Sequence, residues 1–257
     1  MHIILAVAFL FLKTGEKFAT QETAGQAVTG FTTYLGEKAG VTFEPEVMNN
    51  PVKAAEFVAA KKPAAGIVTP GFYLAYAKAL HMDPLLETKR VKVPEERYVL
   101  VAKKDAGDDF HNKTVATTLA AEERYVTGVI FQNKFDDDVR LKSVTDLENP
   151  LFDIMEGRKD APDGVLMESS QWDVFKDDPE FATKLRVVLT TDPLLHNLVV
   201  LFRDNAGTLD VDKLKAALKA MNDTPAGQTI LRNIRVEAFI DLDSDRLTKA
   251  EAKFLGK

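Results

Sequence analysis

The chain alternates between stretches of continuous or period-two apolar residues and stretches with apolar residues at helical spacing. The opening run Ile3–Leu12, IILAVAFLFL, is apolar throughout. A run of this kind suits a strand buried on both faces. It is too short to cross a bilayer, which takes about 20 apolar residues. No Lys or Arg precedes it and Lys13 follows at once, flanks that do not fit a secretion signal. It is therefore read as the first strand, with any natural signal peptide absent from this sequence. KTGEKFATQETAGQ reads as a polar loop. Ala24, Ala27, Val28, Phe31, Tyr34 and Leu35 then mark a helix that Gly40 stops. VTFEPEV alternates like a strand. Asn50 and Pro51 open a capped helix through NNPVKAAEFVAAKK. AAGIVTPGFYLAYAKAL reads as a strand, a turn and a helix, with His81-Met82 at its end. This β-α-β-α-β-α order predicts a mostly parallel sheet with helices on both faces.

The segment RYVLVAKKDAG is a strong strand, after which the pattern restarts. NKTVATTL, VRLKSV, DGVLM and RVVLTT read as strands, and AAEERYVTGVIFQNKF, DLENPLFDIMEGR and SSQWDVF as helices. HNLVVLFRDN is a second strong strand, built like RYVLVAKKDA. Leu209–Met221 and Pro225–Asn233 are helical, followed by a polar segment and a C-terminal helix. Two βα modules bounded by two similar strands predict an α/β protein of two lobes, with mixed, mostly parallel sheets joined by two crossover strands. One lobe takes residues 1–101 and 200–257, the other residues 102–199.

Composition narrows the chemistry. A net charge of −6 gives no electrostatic footprint for nucleic acid or an anionic membrane. The absence of cysteine removes disulfides, thiolate metal sites and a cysteine nucleophile. His2, His81, His111 and His196 stand at no metal-ligand spacing. Asp241, Asp243 and Asp245 in DLDSDRLTKAE imitate a calcium loop, but the tight-turn glycine is missing and Glu251 comes one residue early. A solvated turn before a helix is the better reading. No G-x-S-x-G or G-x-x-x-x-G-K-[ST] motif is present, and no cofactor is called for.

The order and spacing of GIVTPGFYLAYAKAL, YVLVAKKDAG, DGVLMESSQWDVF, LTTDPLLHNLVVLFRDN and TPAGQTILRNIRVEAFIDLD resemble a type II periplasmic binding protein. More narrowly, they resemble the substrate-binding proteins of phosphate, phosphite and phosphonate ABC transporters, over nearly the whole chain. That family usually carries a Ser-Thr-Ser-Gly type loop after the first strand of the second lobe. Here the place reads ATTLAAEERYV, keeping Thr117 and Thr118 as hydroxyls and adding Glu122 and Glu123.

The resemblance turns several strand-to-helix junctions into candidate ligand contacts. Thr69 can cap a helix beginning at Pro70, leaving the N–H groups of Gly71 and Phe72 free for an oxyanion. Tyr73 would be a pocket aromatic. Thr117 and Thr118 form the second junction, Glu168 and Ser169 the third, with Ser169 or Ser170 as a cap and Trp172, the single tryptophan, nearby. Thr190, Thr191 and His196 flank the second crossover. Phe9 and Leu10 would reach the cleft as a pocket wall. Each junction equally fits plain helix capping, and Trp172 and His196 equally fit structural roles. Glu122 and Glu123 fit either a solvated acidic face or a ligand with a cationic or hydrogen-donor group.

The resemblance implies an extracytoplasmic solute-binding protein that takes a small polar or anionic ligand between the lobes. It would close by a hinge near Val99–Lys103 and Val199–Arg203. The implied partner is an ABC permease or a membrane sensor, the location periplasmic and the protein monomeric. An enzyme on the same fold, like those of menaquinone biosynthesis, and a sensor component are the alternatives.

Overall fold

A computed structural model describes residues 6–13, 21–135, 138–207 and 209–256. His2, the first three residues of the opening run and residues 14–20 of the polar loop lie outside them. The chain divides into two compact units. One holds the chain up to Pro94 together with Leu195–Leu247; the other holds Glu95–Leu194 and Thr248–Lys257.

The first unit is built on a six-stranded sheet. Its strands are β1 (Ala6–Leu12), β2 (Thr42–Met48), β3 (Ala65–Val68), β4 (Met82–Arg90), β10 (Asn197–Phe202) and β11 (Val236–Asp241). Their order is β11-β4-β10-β3-β1-β2. β1, β2 and β3 run parallel, whereas β10 is antiparallel to both β3 and β4, and β11 is antiparallel to β4. The described part of the opening run is thus a central strand. Its period-two alternation sends Phe9 and Phe11 to one face and Leu10 and Leu12 to the other. Helix α1 (Gln21–Ala39) covers the first face with α8 (Val211–Ala220) and α9 (Pro225–Asn233). Helices α2 (Pro51–Lys61) and α3 (Pro70–Tyr76) cover the second. Asn50 caps α2 as expected: its side chain accepts the Lys53 N–H at 3.0 Å.

Two strands escaped the sequence reading. β4, MDPLLETKR, carries charges and a proline and shows no clean alternation. It becomes a strand because it lies between β10 and β11 and pairs with both. β11 occupies part of the stretch read as a polar segment. Its Val236 and Phe239 are buried while Glu237 is exposed.

The second unit has a five-stranded sheet in the order β7-β6-β8-β5-β9. These are β5 (Tyr98–Lys103), β6 (Thr114–Thr117), β7 (Arg140–Ser143), β8 (Gly164–Glu168) and β9 (Leu185–Thr190). β6 is parallel to β7 and β8, and β5 is antiparallel to β8 and β9. One face packs on α5 (Glu148–Glu156), α6 (Ser169–Trp172) and α7 (Pro179–Lys184), with Trp172 and Phe181 in that core. The helix expected from Ala120 is broken. A 3₁₀ turn at Ala120–Glu122 leads into the short α4 (Glu123–Tyr125) and then a π turn at Val126–Ile130, closed by the Phe131 N–H on the Val126 carbonyl at 2.8 Å.

The borders differ from the sequence reading for a reason visible in the ladders. β5 pairs only within the second sheet and β10 only within the first. The chain therefore passes between the units just before each strand, at Pro94/Glu95 and Leu194/Leu195. The C-terminal helix α10 (Ser244–Phe254) begins in the first unit and ends in the second. There the Phe254 carbonyl accepts the Arg124 Nε–H at 3.2 Å, and the Arg124 guanidinium lies 4.6 Å from the Phe254 ring centre.

Phe9, expected in a pocket wall, is fully buried in the core and meets Phe31 and Phe43 edge-to-face at centroid distances of 5.7 and 5.4 Å. Leu10 is likewise fully buried, in the core of the opposite face. A strand covered on both faces commits its side chains to packing. Phe9→Ala is expected to lower unfolding stability by about 3–5 kcal/mol, as for other buried aromatic truncations. Denaturant titration checks this, and a variant of unchanged stability contradicts the core placement.

Candidate functional site

Each sheet gathers candidate residues on one edge. In the first unit this is the edge where β1, β2 and β3 end and β10 begins. Leu198 stands opposite Val68, so His196 and the Thr69–Gly71 turn are neighbours there. Thr69 is the N-cap of α3: its Oγ1 accepts the Phe72 N–H at 3.2 Å, and its carbonyl accepts the Tyr73 N–H at 3.0 Å. The expectation of a free Phe72 N–H is therefore corrected, because the cap takes it. Pro70 has no N–H, so Gly71 holds the remaining first-turn donor. The side chains of Phe72 and Tyr73 are buried in the core beneath α3.

His196 is 2% exposed, and its backbone N–H donates to Glu87 Oε2 at 3.0 Å. Lys13, one residue beyond β1, is 5% exposed on the same edge. It continues the Phe9/Phe11 stripe, and its ammonium donates to the Ile234 carbonyl at 3.4 Å, at the C-terminus of α9.

In the second unit the equivalent edge holds the ends of β6, β8 and β9 and the start of β5. Thr117 is fully buried and its Oγ1 accepts the Leu119 N–H at 3.2 Å, while Thr118 is half-buried. Glu168, rather than Ser169 or Ser170, is the N-cap of α6, in a capping box whose Gln171 Oε1 accepts the Glu168 N–H at 3.2 Å. The Ser169 N–H donates to the Arg97 carbonyl at 2.8 Å. Trp172 belongs to the core. Thr191 is 1% exposed and ties the two connecting segments together: its Oγ1 accepts the Tyr98 N–H at 3.0 Å and its carbonyl accepts Arg97 Nη1 at 2.9 Å. Thr190 is exposed.

The sequence reading treated Glu122 and Glu123 as one acidic turn. The fold separates them, with Glu122 7% exposed beneath the 3₁₀ turn and Glu123 on the surface. Glu122 and the equally buried Glu96 both act on Tyr125. Burial pushes the Tyr125 phenol above its ordinary value of 10.0, and the charges of Glu122 and then Glu96 push it further. Glu87, Glu96, Arg97 and Lys13 were not singled out in the sequence. The available signal was a charge interrupting or ending an apolar run, at Lys13 and in LLETKR.

The calcium-like segment resolves into ordinary pairs. Asp241 pairs with Lys219 at 2.6 Å, and Asp243 caps α10 by accepting the Arg246 N–H at 2.9 Å. His81 Nδ1 lies 2.5 Å from Asp204 Oδ2, and Met82 is buried as the first residue of β4. Among the described residues, no three His, Asp or Glu side chains converge on a common point.

Two α/β units, each with hydroxyl-bearing strand-to-helix junctions on one sheet edge and each completed by an antiparallel strand that follows a passage between them, define a two-lobed binding protein of the type II periplasmic class. The pattern of the family described as "ABC transporter, phosphonate, periplasmic substrate-binding protein" matches residues 18–247. The chain belongs to this family, whose members are periplasmic, work with transporter permeases and are not enzymes. Solved structures agree on the fold. XAC2383 from Xanthomonas citri, bound to ATP, superposes with a TM-score of 0.72 at 13% identity, covering 98% of this chain and 97% of that one. The binding-protein component of a phosphonate ABC transporter from Pseudomonas aeruginosa gives 0.66 at 13% identity, over 98% and 86%. PhnD1 from Prochlorococcus marinus, in complex with methylphosphonate, gives 0.64 at 12% identity, over 98% of both chains. No curated protein sequence matches the chain. Among the described residues, no helix is long and apolar enough to cross a membrane.

Tyr125 supplies a pH test. The folded state holds the phenolic proton to higher pH than the unfolded chain, which releases it near 10.0. Stability from this group is complete below that pH and declines as pH rises above it. Denaturant unfolding between about pH 8 and 11 is expected to show that decline, and Tyr125→Phe to remove the part due to this group. Equal slopes in the two proteins contradict the assignment.

Proposed function

We propose that this protein is the extracytoplasmic binding component of an uptake system, taking a small phosphonate-class ligand and delivering it unchanged to an ABC permease. The observation that carries this reading is the family match across residues 18–247. The Thr69–Gly71 turn would offer the oxyanion a main-chain donor and the positive end of α3. Thr117, Thr118, Glu168, Ser169 and His196 would complete the set, drawn from both units, while Phe72 and Tyr73 would support the turn from below. The bend for closure would fall at Val91–Glu95 and Leu195. Flexing at Val99–Lys103 or Val199–Arg203 would break the ladders of β5 and β10.

The second-unit junction supports a narrower ligand class. Where the family usually places a serine-rich anion loop, this chain has two threonines followed by the buried Glu122, with Glu96 close enough to act on the same tyrosine. Buried carboxylates disfavour a purely anionic guest and favour one carrying an ammonium or another hydrogen donor beside its phosphonate. The ligand proposed is an aminoalkylphosphonate-like zwitterion.

A thermal-shift comparison of methylphosphonate, an aminoalkylphosphonate, inorganic phosphate and ATP tests both levels. A ligand at 100 times its Kd stabilises by about 2.7 kcal/mol, roughly 5–10 °C for a chain of this size. The aminoalkylphosphonate is expected to give the largest shift. Glu122→Gln should weaken it about 10-fold or more, the scale of one charge-assisted hydrogen bond, and leave methylphosphonate unchanged. Equal losses for both ligands would remove the zwitterion reading and keep the phosphonate one. Silence from every phosphorus compound would remove both.

A further inference from the structure

Among its described residues, the first unit has a buried acid that the proposed ligand contacts do not use. Glu87 lies in β4, the strand between β10 and β11, and is fully buried. A carboxylate removed from water in this way needs strong hydrogen bonds in its place. It receives two from the main chain: the His196 N–H reaches Oε2 at 3.0 Å and the Asp243 N–H reaches Oε1 at 2.8 Å.

These donors occupy particular places in the chain. His196 comes directly after the Leu194/Leu195 passage between the units and directly before β10. The β10–β4 ladder begins only at Asn197 opposite Thr88, so the Glu87 carboxylate receives the N–H just beyond the ladder's end. Asp243 is the residue from which α10 starts: the Leu247 N–H returns to its carbonyl at 2.9 Å. That helix makes the third passage, at Leu247/Thr248. One side chain therefore holds the first-unit ends of two of the three passages. The second unit fixes its own end through the backbone, with the Leu194 N–H on the Glu96 carbonyl at 2.7 Å and the Thr191 N–H on the Tyr98 carbonyl at 3.0 Å.

We propose that Glu87 is a positioning residue whose carboxylate pins the returning chain at His196 and the start of α10 to the same point of the first unit, and thereby sets the range of inter-unit motion on which ligand capture depends. A carboxylate suits this task because its two oxygens each accept one N–H, so both passages move with β4. The main chain of His196, a proposed ligand contact, is placed by the same bond. The inference takes its purpose from the binding-protein reading, but its test uses no ligand, so the two can fail separately.

The chain has no cysteine, so Lys53→Cys and Lys142→Cys place one dye on each unit without competing sites. Single-molecule energy transfer in the full chain then reads the inter-unit distance distribution. Glu87→Gln keeps the side chain's shape but turns one acceptor into a donor that faces an N–H. It is expected to widen the distribution and to speed exchange of the His196 and Asp243 amides about 10-fold relative to the β4 ladder, the scale of one lost charge-assisted bond. Val28→Ala, a core truncation in α1, serves as the stability control and should leave the distribution unchanged. In the unsubstituted protein both amides should be protected as strongly as β4, a reading that does not depend on whether the variant folds. Unprotected amides, or identical distributions in Glu87→Gln and Val28→Ala, would overturn the proposal.

Discussion

The architecture depends on an exchange of strands between halves of the chain. β5 enters the second sheet directly after the chain leaves the first unit, and β10 enters the first sheet directly after it returns. Each runs antiparallel to strands on both sides. Neither sheet is complete without the strand that follows a passage. In the connection before β5, Lys92 at φ 62° sits among exposed turn residues.

That exchange also determines where function can lie. Parallel strands preceding helices place hydroxyl-rich turns at their C-terminal ends, and open α/β sheets bind ligands at such ends. The antiparallel β10 begins at the edge where β3 ends, which brings His196 beside Thr69 across about 130 residues of chain. In the second sheet, β5 begins where β6 and β8 end, which brings Arg97 and Tyr98 to the Thr191 and Ser169 backbones. Candidate contact residues and connecting segments thus share an edge in each unit.

The polar groups buried along these edges divide into two kinds. Thr69, Thr191 and Glu87 are matched to named backbone donors, and each organises a turn or a junction. Glu122 and Glu96 in addition act on the Tyr125 phenol, whose pKa burial and their charges raise. The first kind makes the edge rigid. The second keeps the Tyr125 phenol protonated to higher pH.

Local pattern was enough to read the α/β alternation, the Asn50 and Thr69 caps, the opening strand as one buried on both faces and the family resemblance. These follow from short-range physics: apolar periodicity, side-chain capping and proline at the first helical position. Other features had no local signal. MDPLLETKR is a strand because two neighbours pair with it, although its charges and proline spoil the alternation. Phe9 is core rather than pocket because α1 and β2 place Phe31 and Phe43 against it. The helix after Thr117 breaks into 3₁₀, α and π turns where Gly128 meets the C-terminal helix, with room for a Cβ only 3.2 Å from the Lys253 carbonyl. Glu87 looks like any surface glutamate until His196 and Asp243, 109 and 156 residues away, direct their N–H groups at it. Sequence alone determined the elements and their order. The tertiary structure decided which of their polar residues gather at the sheet edges, which face the core and which are tied to distant parts of the chain, because those roles depend on partners that only folding brings near.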